Sequence, residues 1–180
     1  MAKEQTSELD LIGETRRNWG ERGIREPEAM AAATSLARAQ QVVLGRINQA
    51  LGEFSLTFSR YEALALLSFA RNESMGMARM GERLQVHPTS VTSTIDRLER
   101  DGLVIRSPHP DDRRATLATL TDTGRDVLAA ATAALEDIRW GMGEIADGDL
   151  ASLTVNLAHV RASAGDNTDD SLPISTKGTS

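Results

Sequence analysis

The chain has 180 residues, 40% apolar and 26% charged, enough for one compact domain with a real core. No apolar run approaches the roughly 18 residues of a membrane span, Met1–Asp10 lacks the apolar core of a signal peptide, and the absence of cysteine excludes disulfides, thiolate sensing and cysteine–zinc sites, so a cytoplasmic protein is expected. The net charge of −6 argues against a nucleic-acid partner only until it is mapped: residues 126–180 hold 3 basic and 9 acidic side chains, whereas residues 79–125 hold 8 and 7, with arginines bunched at Arg97, Arg100, Arg106, Arg113 and Arg114.

In chain order, Leu9, Ile12 and Trp19 predict a short amphipathic helix ending near Gly20, and Gly23 and Pro27 mark a break. Pro27 suits the first turn of a second helix that runs to Gly52 on Leu36, Val43, Ile47 and Leu51. Ser59 with Glu62 reads as a capping box, with Thr57 as a competing cap, for a helix to about Phe69 that turns Leu64 and Leu67 inward. Asn72-Glu73-Ser74 reads as a loop, and Met77, Met80 and Leu84 as a short helix stopping near Gln85.

The punctuation is clearest in the next segment. Pro88 fits a first helical position, Val86 and Val91 stand as a hydrophobic staple, and Val91, Ile95 and Leu98 form one apolar stripe. Asp101-Gly102 ends that helix, with Leu103 folding back on Leu98. Leu103–Arg106 and Ala115–Leu120 read as two strands around a turn-rich tip, Ser107–Arg114, that holds two prolines and two aspartates. Thr121 caps a further helix on which Leu128, Ala131, Leu135, Ile138, Met142 and Ile145 form a packing seam of nearly three heptads. Gly148 breaks it, and Leu150, Leu153, Leu157 and Val160 carry a last helix.

A short helix, a tight turn, a capped helix and a β-hairpin make a winged helix-turn-helix, so the expected fold class is mainly α with a small two-stranded β wing. Met77–Gly124 resembles the DNA-binding core of the MarR family of transcriptional regulators. The matching stretches are Met80–Leu84, Val91–Arg106, and Asp112-Arg113-Arg114 followed by Leu120-Thr121 and Gly124. With flanking helices the resemblance covers roughly residues 30–162. It implies a homodimer built from N- and C-terminal helices, and a palindromic double-stranded DNA operator read by two helices about 34 Å apart. The domain expectation follows: residues 1–26 an extension with a short helix, 27–56 and 122–164 dimerisation helices, 57–121 the DNA-binding lobe, and 165–180 a disordered tail.

The candidate DNA contacts are Thr89, Ser90, Thr92, Ser93 and Arg97 on the capped helix, where small hydroxyls can approach base edges and phosphates. At the hairpin tip they are Arg113 and Arg114, suited to a narrow minor groove. By the resemblance Arg114 is the wing arginine and Asp112 its orienting carboxylate. Many family members have arginine where this chain has Ser93, which reduces direct guanine readout here. An added N-terminal helix ending in Trp19 resembles the family's urate-responsive branch, and Glu62 stands near that branch's acidic ligand position, but Ser107 and Thr119 occupy the positions expected for its arginines. The expected effector is therefore a small anionic or aromatic molecule near Trp19, Arg60, Tyr61 and Glu62.

The reading that results is a ligand-responsive regulator, a repressor by the family's usual mode. Its rival is a winged-helix protein-interaction module without specific DNA binding, motivated by the acidic C-terminus and Ser93. No Gly-rich phosphate loop, nucleophile elbow or metal spacing among His87, His109 and His159 points to an enzyme, and no cofactor or metal is expected.

Overall fold

The computed structural model describes residues 10–110, 112 and 115–163. The chain divides into two compact units, Met1–Gly141 and Met142–Ser180.

In the first unit, α1 (Leu11–Glu21) is capped by Asp10, whose side chain accepts from the Gly13 N–H. The second helix, α2 (Pro27–Gly52), starts on its proline as expected and packs with α1. α3 (Phe58–Ser68) follows, but the Ser59 capping box does not form. The cap position is Thr57, and the orphan Phe58 N–H donates to Asn48 Oδ1 on α2 at 2.8 Å. A side chain ten residues upstream thus does the work a local motif was expected to do.

α4 (Met77–Leu84) ends at Gln85, which takes a left-handed φ of 52°. α5 (Pro88–Arg100) is terminated by a Schellman stop: the Leu103 N–H donates to Leu98 O at 2.9 Å and the Gly102 N–H to Glu99 O at 3.0 Å, with Gly102 at φ +73°. β2 (Val104–Pro108) and β3 (Thr116–Leu120) pair antiparallel as the expected hairpin. The predicted loop at Ser74 instead forms a third strand, β1 (Ser74–Gly76), on the other side of β3, giving the order β1-β3-β2.

α6 (Asp122–Asp137) begins at Thr121, whose side chain accepts from the Gly124 N–H at 2.9 Å. The three-heptad helix expected to reach Ile145 is not continuous. It stops at Asp137, and a 3₁₀ turn over Arg139–Gly141 carries Arg139, Trp140 and Gly141 at positive φ. Two tertiary contacts hold that break: Arg46 Nη1 donates to Gly141 O at 2.8 Å, and Trp140 packs edge-on against Tyr61 at 5.7 Å between ring centroids.

One core fills this unit. The α5 stripe Val91, Ile95 and Leu98 is buried in one cluster with Leu64 and Leu67 of α3, Met80 of α4, Val104 and Ala118 of the sheet, and Leu128 and Leu135 of α6. Leu51 and Ile47, near the end of α2, join it. The second unit holds α7 (Asp147–Ala162), none of whose residues is buried. No described helix is long and apolar enough to cross a membrane.

Candidate nucleic-acid interface

The core fixes which side of α5 is free. With Val91, Ile95 and Leu98 inward, Thr89, Ser90, Thr92, Ser93, Arg97 and Arg100 are all exposed. Five of these are the helix residues singled out from the sequence, and the helix brings them onto one outward face. The start of that face is ordered by His87, whose Nδ1 accepts from the Thr89 N–H at 3.3 Å and bonds Thr89 Oγ1 at 3.1 Å. Thr92 is exposed and donates its hydroxyl to Pro88 O at 3.1 Å, so the oxygen keeps only acceptor capacity for another partner. Ser90 and Ser93 spend their hydroxyls on no described residue, and Arg97 and Arg100 have no ion-pair partner among the described residues.

Two arginines that looked available are instead committed to holding α5. Arg106 on β2 pairs with Asp96 and with Glu99, the latter through Nε to Oε2 at 2.9 Å. Its pKa is raised, first by the hydrogen bond to Asp96, and it stays a cation. Arg60 on α3 pairs with Asp101, the C-cap of α5, and donates Nη1 to Ser55 O at 2.6 Å. The C-terminal half of α5 is therefore tied, one way to the wing and the other to α3. Sequence reasoning counted Arg106 in a basic cluster and missed this clamp. The acidic pair Asp96 and Glu99, three apart on α5, was the available signal.

Asp112 is exposed at the hairpin tip, where the Ala115 N–H donates to its carbonyl at 3.0 Å. Arg113 and Arg114 lie outside the described residues. Two cations passed over in the sequence, Arg79 and Arg83, are exposed on α4 with no ion-pair partner among the described residues. Their four-residue spacing puts them on one side of that helix.

The four residues expected to share an effector site point in different directions. Arg60 is tied to Asp101, and Tyr61 is buried, its hydroxyl bonding Thr132 Oγ1 at 3.0 Å. Glu62 lines a groove between α3, α4 and α5, and Trp19 is 36% exposed on α1. Consecutive helical residues diverge by about 100° each, so Arg60, Tyr61 and Glu62 cannot face one cavity. Among the described residues no group of His, Asp and Glu could hold a metal ion.

The MarR family profile matches residues 56–116, the stretch from α3 to the first residue of β3. The structure of Sco5413, a MarR family transcriptional regulator from Streptomyces coelicolor, is 46% identical, with a TM-score of 0.73, covering 78% of this chain and 97% of that one. The chain belongs to the MarR family. Its similarity to the organic hydroperoxide resistance transcriptional regulator of Bacillus subtilis is 32% identity over 74 residues, 41% of this chain and about half (49%) of that protein. CouR from Rhodococcus jostii RHA1, whose structure holds p-coumaroyl-CoA, is 27% identical with a TM-score of 0.62, over 72% of this chain and 90% of CouR. The first two of these are transcriptional regulators, and in a chain without cysteine a thiolate sensing step has no residue to occur on.

Proposed function

We propose that this MarR-family regulator binds double-stranded DNA as a homodimer, represses transcription from a palindromic operator, and releases it in response to a small molecule. The observation that carries the proposal is the outward face of α5, where hydroxyls stand beside arginines that have no ion-pair partner among the described residues, on a helix whose C-terminal half is tied to the wing and to α3. Ser90, Ser93 and the Thr92 methyl approach base edges, Arg97 and Arg100 take phosphates, and the Thr89 N–H end of the helix favours a further phosphate. Arg113 and Arg114 reach the flanking minor groove, with Asp112 orienting Arg114. Arg79 and Arg83 add phosphate contacts from α4, the helix that crosses the backbone in this motif.

The dimer is supported by what the single chain leaves uncovered. No residue of α1 or α7 is buried, and α2 buries only Ile47 and Leu51. Leu36 and Val42 on α2, and Leu153, Val155 and Val160 on α7, are exposed. A 16-residue helix with no buried side chain is marginal alone, because most helical stability comes from packing an apolar face. Residues 27–56 and 122–164 are thus assigned to dimerisation and 57–121 to DNA.

A mobility-shift titration on the DNA upstream of the chain's own gene tests the proposal. Binding to an inverted repeat, lost when either half-site is scrambled, is the expected result. Equal binding to scrambled DNA removes the palindrome. The net charge of −6 keeps one rival in play, a protein-binding winged domain, for which no DNA shift would occur at any salt concentration.

A further inference from the structure

A groove of about 290 Å³ lies behind α5, walled by α3, α4 and the turn between α4 and α5. That is the lower end of the range for small-molecule sites, roughly 300–1,000 Å³. Its walls are apolar: Met80 and Leu84 from α4, Val86 from the turn, and Val91 from α5. At its polar rim stand Ser59, Glu62, Ser90 and Thr94.

No lysine, arginine or histidine lines this groove, and Glu62 has neither an ion-pair nor a hydrogen-bond partner among the described residues. Ser90 and Thr94 likewise spend their hydroxyls on no described residue. One exposed, acceptor-only charge therefore stands at the rim of an apolar hollow that no cation lines. Loss of solvent there already pushes the Glu62 carboxyl above its ordinary value, the sign expected of a carboxylate that lacks a cation.

We propose that this groove binds an organic amine with a single-ring aromatic body, its ammonium on the Glu62 carboxylate and the Thr94 hydroxyl, and its ring between Met80, Leu84 and Val91. The charge selects against the anionic effector expected from the sequence, and the apolar walls select an aromatic one. An occupant touching Val91 and Thr94 lies against the inner flank of the helix whose outer face carries Ser90, Ser93 and Arg97. Occupancy is thereby coupled to the proposed DNA surface, and this consequence rests on the regulatory reading, whereas the binding itself does not.

The experiment is calorimetric titration of the full chain, without DNA, with 2-phenylethylamine and with phenylacetate as its near-isosteric anion. The expected result is saturable binding of one amine per chain, at least fivefold tighter than phenylacetate. Glu62→Gln and, separately, Thr94→Leu should each weaken the amine at least fivefold, with circular dichroism reporting that each variant is folded. Absence of saturable amine binding, phenylacetate binding within fivefold of the amine, or Glu62→Gln binding within fivefold of wild type overturns the proposal. Amine binding by a chain that shifts no DNA would leave the groove assignment standing and remove the gene-control reading. A DNA shift without amine binding would do the reverse.

Discussion

Arg106 Nε on β2 donates to Glu99 Oε2 on α5 at 2.9 Å, and the Arg106 backbone N–H reaches Glu99 Oε1 at 3.2 Å. With the second carboxylate, Asp96, the guanidinium joins the strand that leads into the wing to the helix that carries the hydroxyl face. The Arg106 side chain is 26% and the Glu99 side chain 41% exposed, so the pair is a surface feature worth at most about 1 kcal/mol of stability. Its value lies in fixing one element relative to the other.

Arg106→Ala should therefore separate stability from function. At about 2–4 °C per kcal/mol for a chain of this size, the melting temperature falls by only a few degrees. DNA affinity falls at least tenfold, because the helix and wing no longer present their contacts in one geometry. Thermal melting and a mobility-shift titration on the same preparation check this. A loss of stability without a loss of affinity would make the clamp purely structural.

Gly124→Ala should act on folding instead. A Cβ at Gly124 would stand 2.1 Å from Leu103 O, the carbonyl that also accepts from the Thr121 N–H at 3.1 Å. The start of α6 lies directly on the chain leaving α5, and the collision cannot be relieved by a side-chain rotation. The expected cost is about 2–3 kcal/mol, measured by urea denaturation. An unchanged midpoint would mean that α6 does not approach Leu103 this closely in solution.

Glu62→Gln should stabilise the chain at neutral pH. Burial raises the Glu62 pKa in the folded state, so the folded chain holds that proton more tightly than the unfolded chain does. The ionised carboxylate accordingly lowers stability as pH rises from the unfolded value, about 4.3, through the raised folded one. The variant removes that loss: its advantage is full at pH 7 and vanishes below about pH 4, where both states are protonated. Melting curves of the two proteins across pH 3.5–8 read this. A constant offset between them would exclude desolvation of Glu62 as the cause.

Replacing Val155 and Val160 together by Asp should produce monomers. Both are 56% exposed on α7, a helix with no buried residue. Sedimentation of wild type as a dimer and of the variant as a single chain is the expected pair of results. A dimeric variant would move the interface off α7.

Much of the fold was legible because its boundaries are set locally. Pro88, Gly102 and Thr121 each act within their own turn, and α5 and the start of α6 stand where those residues place them. The features that escaped depend on distant partners. β1 is three residues long, too short for alternation to register, and exists because Ser74, Met75 and Gly76 meet β3. The break after Asp137 contradicts a heptad pattern that continues through Met142, and is held by Arg46 and Tyr61 from other helices. In the same way, the hydroxyl face of α5 could be read from the stripe opposite it. The clamp on Arg106 needed β2 to be brought to α5, and the groove around Glu62 needed α3, α4 and α5 to be brought together.

The salt dependence of DNA binding tests the regulatory role most directly. A dimer that grips phosphates through Arg97, Arg100 and the wing arginines loses affinity linearly in log–log form, each phosphate contact contributing about 0.9 to the slope. Arg97→Ala should weaken binding across all sequences and reduce that slope by about 1 per recognition surface, while Arg114→Ala weakens it at the flanking minor groove. An affinity indifferent to salt, or a wild-type shift from the Arg97→Ala and Arg114→Ala double variant, would contradict DNA binding through the α5 face and the wing.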